Sequence, residues 1–239
     1  MERAEGSRLM SHSQDQLVLL APLTGPVVPL AEVPDPVFAD GMFGDGIAID
    51  PLAGKLVAPC DGVVMHLART GHAVTLKAAQ GAELLLHIGI DTVELNGQGF
   101  TPKVAQGAQV RAGDVLIEFD QDYVARTALS LVSVIAVANS DAFEIVERGA
   151  GLVTAGETRL LVLRPKAGAA AQAAREATNI EEEARRQVTL AQAGGLHARP
   201  AARAREAARG LDARVEVRYD GRKAPIESVV GLLGLGAGE

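Results

Sequence analysis

Cysteine, tryptophan and aromatic residues in general are what this 239-residue chain has least of. Cys60 is the only cysteine, so neither an internal disulfide framework nor a cysteine zinc cluster can hold the fold, and the composition suits a reducing compartment. Tryptophan is absent and aromatics make up 3% of residues, so any core has to be aliphatic. Positive charge is short as well. The 23 Lys and Arg are outnumbered by 30 Asp and Glu, giving a formal net charge of −7. That balance argues against nucleic acid as a partner, because a phosphate backbone demands a basic footprint. Long apolar runs are missing too. The longest, Thr127 to Ala138, is too short to cross a bilayer and is bounded by Arg126, which argues against direct membrane insertion. Glu2, Arg3, Glu5 and Arg8 precede any apolar run, which is not how a signal peptide begins. The expected location is the cytoplasm.

What remains is an ordinary globular mixture, 48% hydrophobic and 22% charged, long enough for one large domain or one domain and a smaller one. Residues 1–16 are polar and expected to be disordered. From Leu17 to Arg164 the chain runs through short β-type segments broken by Gly, Pro and Asp (LVLL, KLVA, GVVMHL, AVTLK, ELLLHI, DVLIEF, LLVL), the pattern of an antiparallel sandwich or barrel. Ala21-Pro22-Leu23-Thr24-Gly25-Pro26-Val27 and Ala58-Pro59-Cys60-Asp61-Gly62-Val63-Val64 share A-P-x-x-G-x-V, a weak internal repeat. Residues 165–185 are rich in Ala and Glu with almost no large apolar side chains, and read as a linker. Residues 186–239 form a second, smaller unit. It reads as a strand over Gln187–Ala191, a helix over His197–Arg209 and a strand over Arg214–Tyr219. An Asp220-Gly221 hairpin turn follows, then a short helix beginning near Ile226.

Of five histidines, His12 falls in the polar tail and His66 reads as a solvated strand position. His72 and His87 flank AVTLKAAQGAELLL, two strands and a turn. With Ala79 and Gln80 as the loop, His72 lies directly opposite His87, with Cβ atoms about 5 Å apart. A bulge at Gly81 would shift this register. Two facing imidazoles suit phosphoryl transfer, one attacking phosphorus and one donating to its oxygens; two satisfied sheet histidines are the plain alternative. His197 stands in Gly194-Gly195-Leu196-His197-Ala198-Arg199-Pro200-Ala201 at a helix start. There free backbone N–H groups, the positive helix end and Arg199 would all meet a phosphorylated ring. No His-x-His occurs, so a zinc hydrolase site of that type is not supported.

Residues 17–164 resemble the glucose-class enzyme IIA of the phosphoenolpyruvate–sugar phosphotransferase system. The matching runs are Val33-Pro-Asp-Pro-Val-Phe-Ala39, Gly44-Asp-Gly-Ile-Ala-Ile49, Gly71-His-Ala73, His87-Ile-Gly-Ile-Asp-Thr-Val-Glu-Leu95 and Gly156-Glu-Thr158. Residues 186–239 resemble the histidine phosphocarrier HPr through Gly195-Leu-His-Ala-Arg-Pro-Ala201 and Glu227-Ser-Val-Val-Gly-Leu-Leu-Gly-Leu-Gly236. The resemblance implies a mainly antiparallel β-sandwich followed by an incomplete α+β open-faced sandwich. It implies phosphorylation of His87, stabilised by His72, with Thr70 orienting His72. His197 would carry the phosphoryl group in the HPr-like part on its ring nitrogen nearest the backbone, supported by Arg199. Val37, Phe38, Ile47 and Leu85 would form an apolar docking patch, with Asp35 and Asp91 receiving the arginine of HPr. Ser228 matches a regulatory phosphorylation position, although a plain helix N-cap serves equally well there. Implied partners are enzyme I, HPr and a membrane IIB/IIC permease. No cofactor is expected for histidine-to-histidine transfer, magnesium entering only with an enzyme I part that this sequence does not contain. A binding protein that regulates others by its phosphorylation state is the alternative function. Relative to HPr the sequence stops short of a further strand and helix, so the C-terminal unit is expected to be poorly stable, with close docking on the larger part possible across the linker but not enforced.

Overall fold

The computed structural model describes residues 16–167, 186–187, 196, 198–211 and 213–237. His12, His197, most of the linker and all but Gln187 of the strand expected over 187–191 lie outside the described residues.

The larger part is antiparallel throughout. Its main sheet has eight strands in the order Leu152–Val153, Gly25–Val28, Asp45–Ile49, Ser133–Val137, Glu83–His87, Ala73–Ala78, Gly62–Leu67 and Gln109–Val110. Two three-stranded sheets accompany it, with Leu17–Leu20, Arg159–Pro165 and Phe143–Arg148 in one and Lys55–Val57, Val115–Phe119 and Phe100–Pro102 in the other. Among the described residues none of these sheets closes into a barrel. Alternation divides the strands between two apolar clusters. Leu84, Leu86, Ile47, Ile49, Ile135 and Val137 point into the inner core, while Leu85, Ala48, Val134 and Ala136 point to the other face.

The A-P-x-x-G-x-V repeat is visible as a local two-fold pattern of backbone bonds. Leu20 N donates to Pro59 O at 2.8 Å, and the equivalent Val57 N donates to Pro22 O at 2.9 Å. Gly156 N donates to Ala21 O and Gly113 N to Ala58 O, both at 2.8 Å. Each copy satisfies the main-chain groups that a non-ladder turn would otherwise strand in a buried place.

The hairpin between the two histidines corrects the register read from sequence. Ala73 pairs with His87, Val74 with Leu86 and Leu76 with Leu84, one residue away from the expected pairing. The reason is the turn. Ala78 N donates to Ala82 O at 2.9 Å, which places Ala79, Gln80 and Gly81 in the loop, with Gly81 at φ 90°. Glycine adopts that left-handed conformation without a Cβ penalty, whereas Ala-Gln makes a poor two-residue turn. His66 is corrected as well: it is buried, next to a register shift in its strand.

The C-terminal unit has a helix over Ala198–Ala208 and a hairpin of Glu216–Tyr219 with Arg222–Pro225. The helix Val229–Leu233 follows. Asp220 and Gly221 both have positive φ, 45° and 76°, as a tight primed turn requires. Ser228 caps the last helix, its Oγ accepting from Gly231 N at 3.0 Å.

Candidate functional site

His87 ends its strand and is buried. Its Nδ1 lies 2.8 Å from the carbonyl oxygen of Gly89, so Nδ1–H donates and Nε2 keeps its lone pair. Burial pushes the His87 pKa down from an ordinary 6.5 to about 4. The Gly89 carbonyl, Asp35 and Asp91 pull it upward against that burial, and Arg199 reinforces the fall. The ring is therefore neutral at physiological pH.

His72 precedes the first ladder residue of its strand and follows Gly71, whose φ is 69°. Leaving the regular strand at this point lets its ring reach His87 despite the shifted register. The two ring centroids are 4.9 Å apart at an interplanar angle of 73°. Thr70 Oγ1 and His72 Nδ1 share a hydrogen bond of 2.6 Å, as an orienting role for Thr70 would require. Phe38 meets the His87 ring edge-on at 5.2 Å and stacks on Phe43 at 4.9 Å, closing the apolar side.

Asp35 caps the short helix Pro36–Ala39, accepting from Val37 N at 2.8 Å through Oδ1. That leaves Oδ2, which accepts from Arg199 Nε at 3.1 Å and Nη2 at 2.6 Å. Arg199 Nη2 also donates to Asp91 Oδ1. Arg199, Asp35, Asp91, Thr92, Val93, Phe38 and the two histidine rings bound a small cavity of about 30 Å³. The arginine of the C-terminal unit thus sits over the histidine pair of the larger part. His197, two residues before it, lies outside the described residues.

The apolar contacts follow the same line. Val33, Val37, Phe38, Leu85 and Ile90 form one buried cluster with Ala201, Val229, Leu232 and Leu235 of the C-terminal unit. The close docking that the sequence leaves possible is thus what the structure shows. Of the residues expected to form the docking patch, Ile47 is absent from this cluster; it points into the inner core, and its neighbour Ala48 takes the outer face. Contacts not expected from sequence complete the surface. Arg205, buried, donates through Nη1 to Ala138 O at 3.2 Å and through Nη2 to Asp141 Oδ2 at 2.8 Å. Ser228 Oγ donates to Glu83 Oε2 at 3.2 Å. The helix carrying Arg205 has no large apolar side chain, and nothing local marks which of its three arginines turns inward. Among the described residues, no group of three or more His, Cys, Asp and Glu is placed to hold a metal ion.

A family model described as phosphoenolpyruvate-dependent sugar phosphotransferase system, EIIA 1, matches residues 17–143. The chain belongs to this EIIA family. A second model, described as PTS HPr component phosphorylation site, matches residues 184–239, so an HPr part follows the EIIA part. The glucose-specific EIIA component of Bacillus cereus is 44% identical over 149 residues, covering 62% of this chain and 90% of that protein. The mannose-specific EIIBCA component of Corynebacterium glutamicum is 46% identical over 129 residues, 54% of this chain and 19% of that one. Among solved structures, the glucose permease IIA of Mycoplasma capricolum matches with a TM-score of 0.60 and 37% identity. It covers 62% of this chain and 95% of that one. EIIA and HPr components are phosphotransferases, so the chain is a phosphocarrier component of this sugar-transport system. No helix among the described residues is long and apolar enough to cross a membrane.

The burial of His87 has a measurable consequence. Between about pH 4 and 6.5 the unfolded chain binds a proton at His87 that the folded chain does not. Stability therefore rises with pH across that window and is lost as pH falls through it, by on the order of 3 kcal/mol. Replacing His87 by Gln should flatten the pH dependence of unfolding there relative to the unaltered chain, read by denaturant titration at several pH values.

Proposed function

We propose that this chain is a cytoplasmic relay in which His197 of the HPr part takes a phosphoryl group from enzyme I. His87 of the EIIA part then takes it from His197 and gives it to a cysteine of a membrane IIB domain. The observation that carries this reading is Arg199 seated on Asp35 and Asp91 beside the His72–His87 pair. His197 precedes Arg199 by two residues in the sequence, which supports its choice as the donor.

In the transfer, the lone pair on His87 Nε2 attacks phosphorus. The bond from phosphorus to the His197 ring nitrogen breaks, and its electron pair returns to that ring. With hydrogen on its other nitrogen the His197 ring leaves as neutral imidazole, while phospho-His87 keeps its Nδ1–H and takes over the positive charge. No proton crosses between the rings, so the protein's task is positioning and charge stabilisation. If Thr70 donates its hydroxyl proton to His72 Nδ1, then His72 Nε2 carries hydrogen and can donate to a phosphoryl oxygen on His87. Arg199 supplies the fixed positive charge on the other side. Asp35, Asp91, Val37, Phe38 and Leu85 hold the two parts together during the step.

The order of transfer is tested by loading the chain from enzyme I and phosphoenolpyruvate and mapping phosphohistidine by mass spectrometry. In a His197→Ala chain, His87 should stay empty until a separate HPr is added. Phosphate reaching His87 without any HPr would overturn the relay. Transfer from a separately prepared phospho-HPr to His87 should also continue undiminished in excess chelator, since every charge in this step is met by protein groups. Loss of transfer with the metal removed would contradict the mechanism.

A further inference from the structure

The relay reading needs one particular His87 tautomer, with hydrogen on Nδ1 and a bare Nε2. What fixes that tautomer is the carbonyl of Gly89, and that carbonyl belongs to an unusual turn. Gly89 has φ 64°, and a Cβ there would lie 2.7 Å from Thr92 Cγ2 and 2.9 Å from Ser130 O, so only glycine fits. The turn is sewn to the segment entering the Ser133–Val137 strand. Ile90 N donates to Ser130 O at 2.8 Å, Leu129 N donates to Ile90 O at 3.2 Å, and Thr92 Oγ1 donates to Ile88 O at 2.7 Å. Gly89 N itself has no strand partner. It donates to the side chain of Ser133, 3.1 Å away, and Ser133 Oγ in turn donates to Leu131 O at 2.9 Å.

We infer that Ser133 is a positioning residue for His87, acting through Gly89. Its hydroxyl takes the N–H of the Ile88–Gly89 peptide. The carbonyl that receives His87 Nδ1–H belongs to the next peptide, whose Ile90 N–H rests on Ser130 O. Ser133 therefore acts on that carbonyl through the Gly89 dihedrals that join the two planes. Ser133 is 1% exposed, so water cannot replace it readily. Without its oxygen the Gly89 N–H is left buried and unpaired, a cost the turn relieves by rotating. Rotation takes the carbonyl off the His87 Nδ1 axis, and the proton is then free to occupy Nε2, where it blocks attack on phosphorus. Nitrogens of this kind are commonly fixed through such an outer partner. This inference rests on His87 being the acceptor, but its spectroscopic part does not involve phosphate.

The test uses the full chain with Ser133→Ala, Ser133→Thr and Ser133→Cys. Long-range nitrogen–proton spectra of the His87 ring report which nitrogen carries hydrogen, and a pH series reports its titration. In the unaltered chain Nδ1 should be protonated throughout. Ser133→Ala should show a mixture of tautomers and a downward shift of the His87 titration, because the Gly89 carbonyl that favours the protonated ring is turned away, with phosphoryl acceptance from phospho-HPr slowed roughly tenfold. Ser133→Thr, which keeps the hydroxyl, should restore both. If Ser133→Ala does not fold, Ser133→Cys, similar in size with a weak acceptor, should show the same mixture. A single, unchanged Nδ1–H tautomer in either the Ala or the Cys variant would overturn the proposal, whatever happens to the rate. A changed tautomer in a chain whose His87 accepts no phosphate would leave the proposal standing and defeat the relay instead.

Discussion

Replacing His87 by Ala should abolish phosphoryl acceptance by the EIIA part, measured with excess phospho-HPr supplied separately. Among the described residues, His87 is the histidine whose geometry meets the requirements together: a buried neutral ring, Nδ1 engaged with Gly89 and Nε2 directed away from that bond. His72 is not equivalent. It shares its Nδ1 with Thr70, and in the proposed relay it stabilises charge on the transferred group. His72→Ala should therefore still accept phosphate but pass it onward about 10²–10³-fold more slowly, the usual effect of removing one well-placed donor from a transition state. Thr70→Val should fall between the unaltered chain and His72→Ala, because His72 would remain but lose its fixed orientation. Acceptance at an unaltered rate in His87→Ala would end the assignment, and a His72→Ala chain that accepts nothing would mean the roles are reversed.

Arg199→Ala should release the HPr part from the EIIA face. The carboxylate of Asp35 is 3% exposed and its Oδ2 is served by Arg199. Taking away the cation leaves a buried charge with only the Val37 N–H for company, which in comparable pairs costs about 2–5 kcal/mol. A loss near the lower figure already weakens docking about thirtyfold. The expected sign at His87 is upward on two grounds. Arg199 lowers its pKa while Asp35 and Asp91 raise it, and separation of the two parts also lifts some of the burial that dominates the depression. Amide exchange over Leu85, Val134 and Val229–Leu233 should accelerate, and transfer from His197 to His87 within one chain should slow in step. Asp35→Asn in the same chain should recover part of the stability without recovering transfer, because the buried charge is gone but the clamp is not rebuilt. Arg205→Ala is the control. It removes the contacts to Ala138 O and Asp141 at a distance from the rings, so any upward move of the His87 titration should come from lost burial alone and be smaller than in Arg199→Ala.

Much of this was legible in the chain itself. Short β segments broken by Gly, Pro and Asp required an antiparallel architecture, and the A-P-x-x-G-x-V repeat foretold the paired backbone bonds around Ala21 and Ala58. The motifs around His72, His87 and His197 named the family, because each is a set of residue types at fixed spacing around one chemical task. Helix starts and the Asp220-Gly221 turn were readable from capping and turn chemistry, which act over a few residues.

What only the tertiary structure decided involves residues distant in sequence. The register between His72 and His87 depended on whether Gly81 joined the loop, a small difference in turn energy that the composition leaves balanced. The meeting of the rings then came from the bend at Gly71 and not from strand alternation. Ile47 could not be separated from its neighbours as a core residue until the strand was seen to turn Ala48 outward. Arg205, one of several arginines on a polar helix, became an anchor because Ala138 and Asp141 happen to lie opposite it. Ser133 carries no motif; it matters because a turn 44 residues away in sequence leaves the Gly89 N–H without a strand partner beside its hydroxyl. Local propensity acts within a turn or two of chain, whereas these contacts are settled by how separately formed elements pack, where one buried hydrogen bond or charge pair is enough to choose between arrangements.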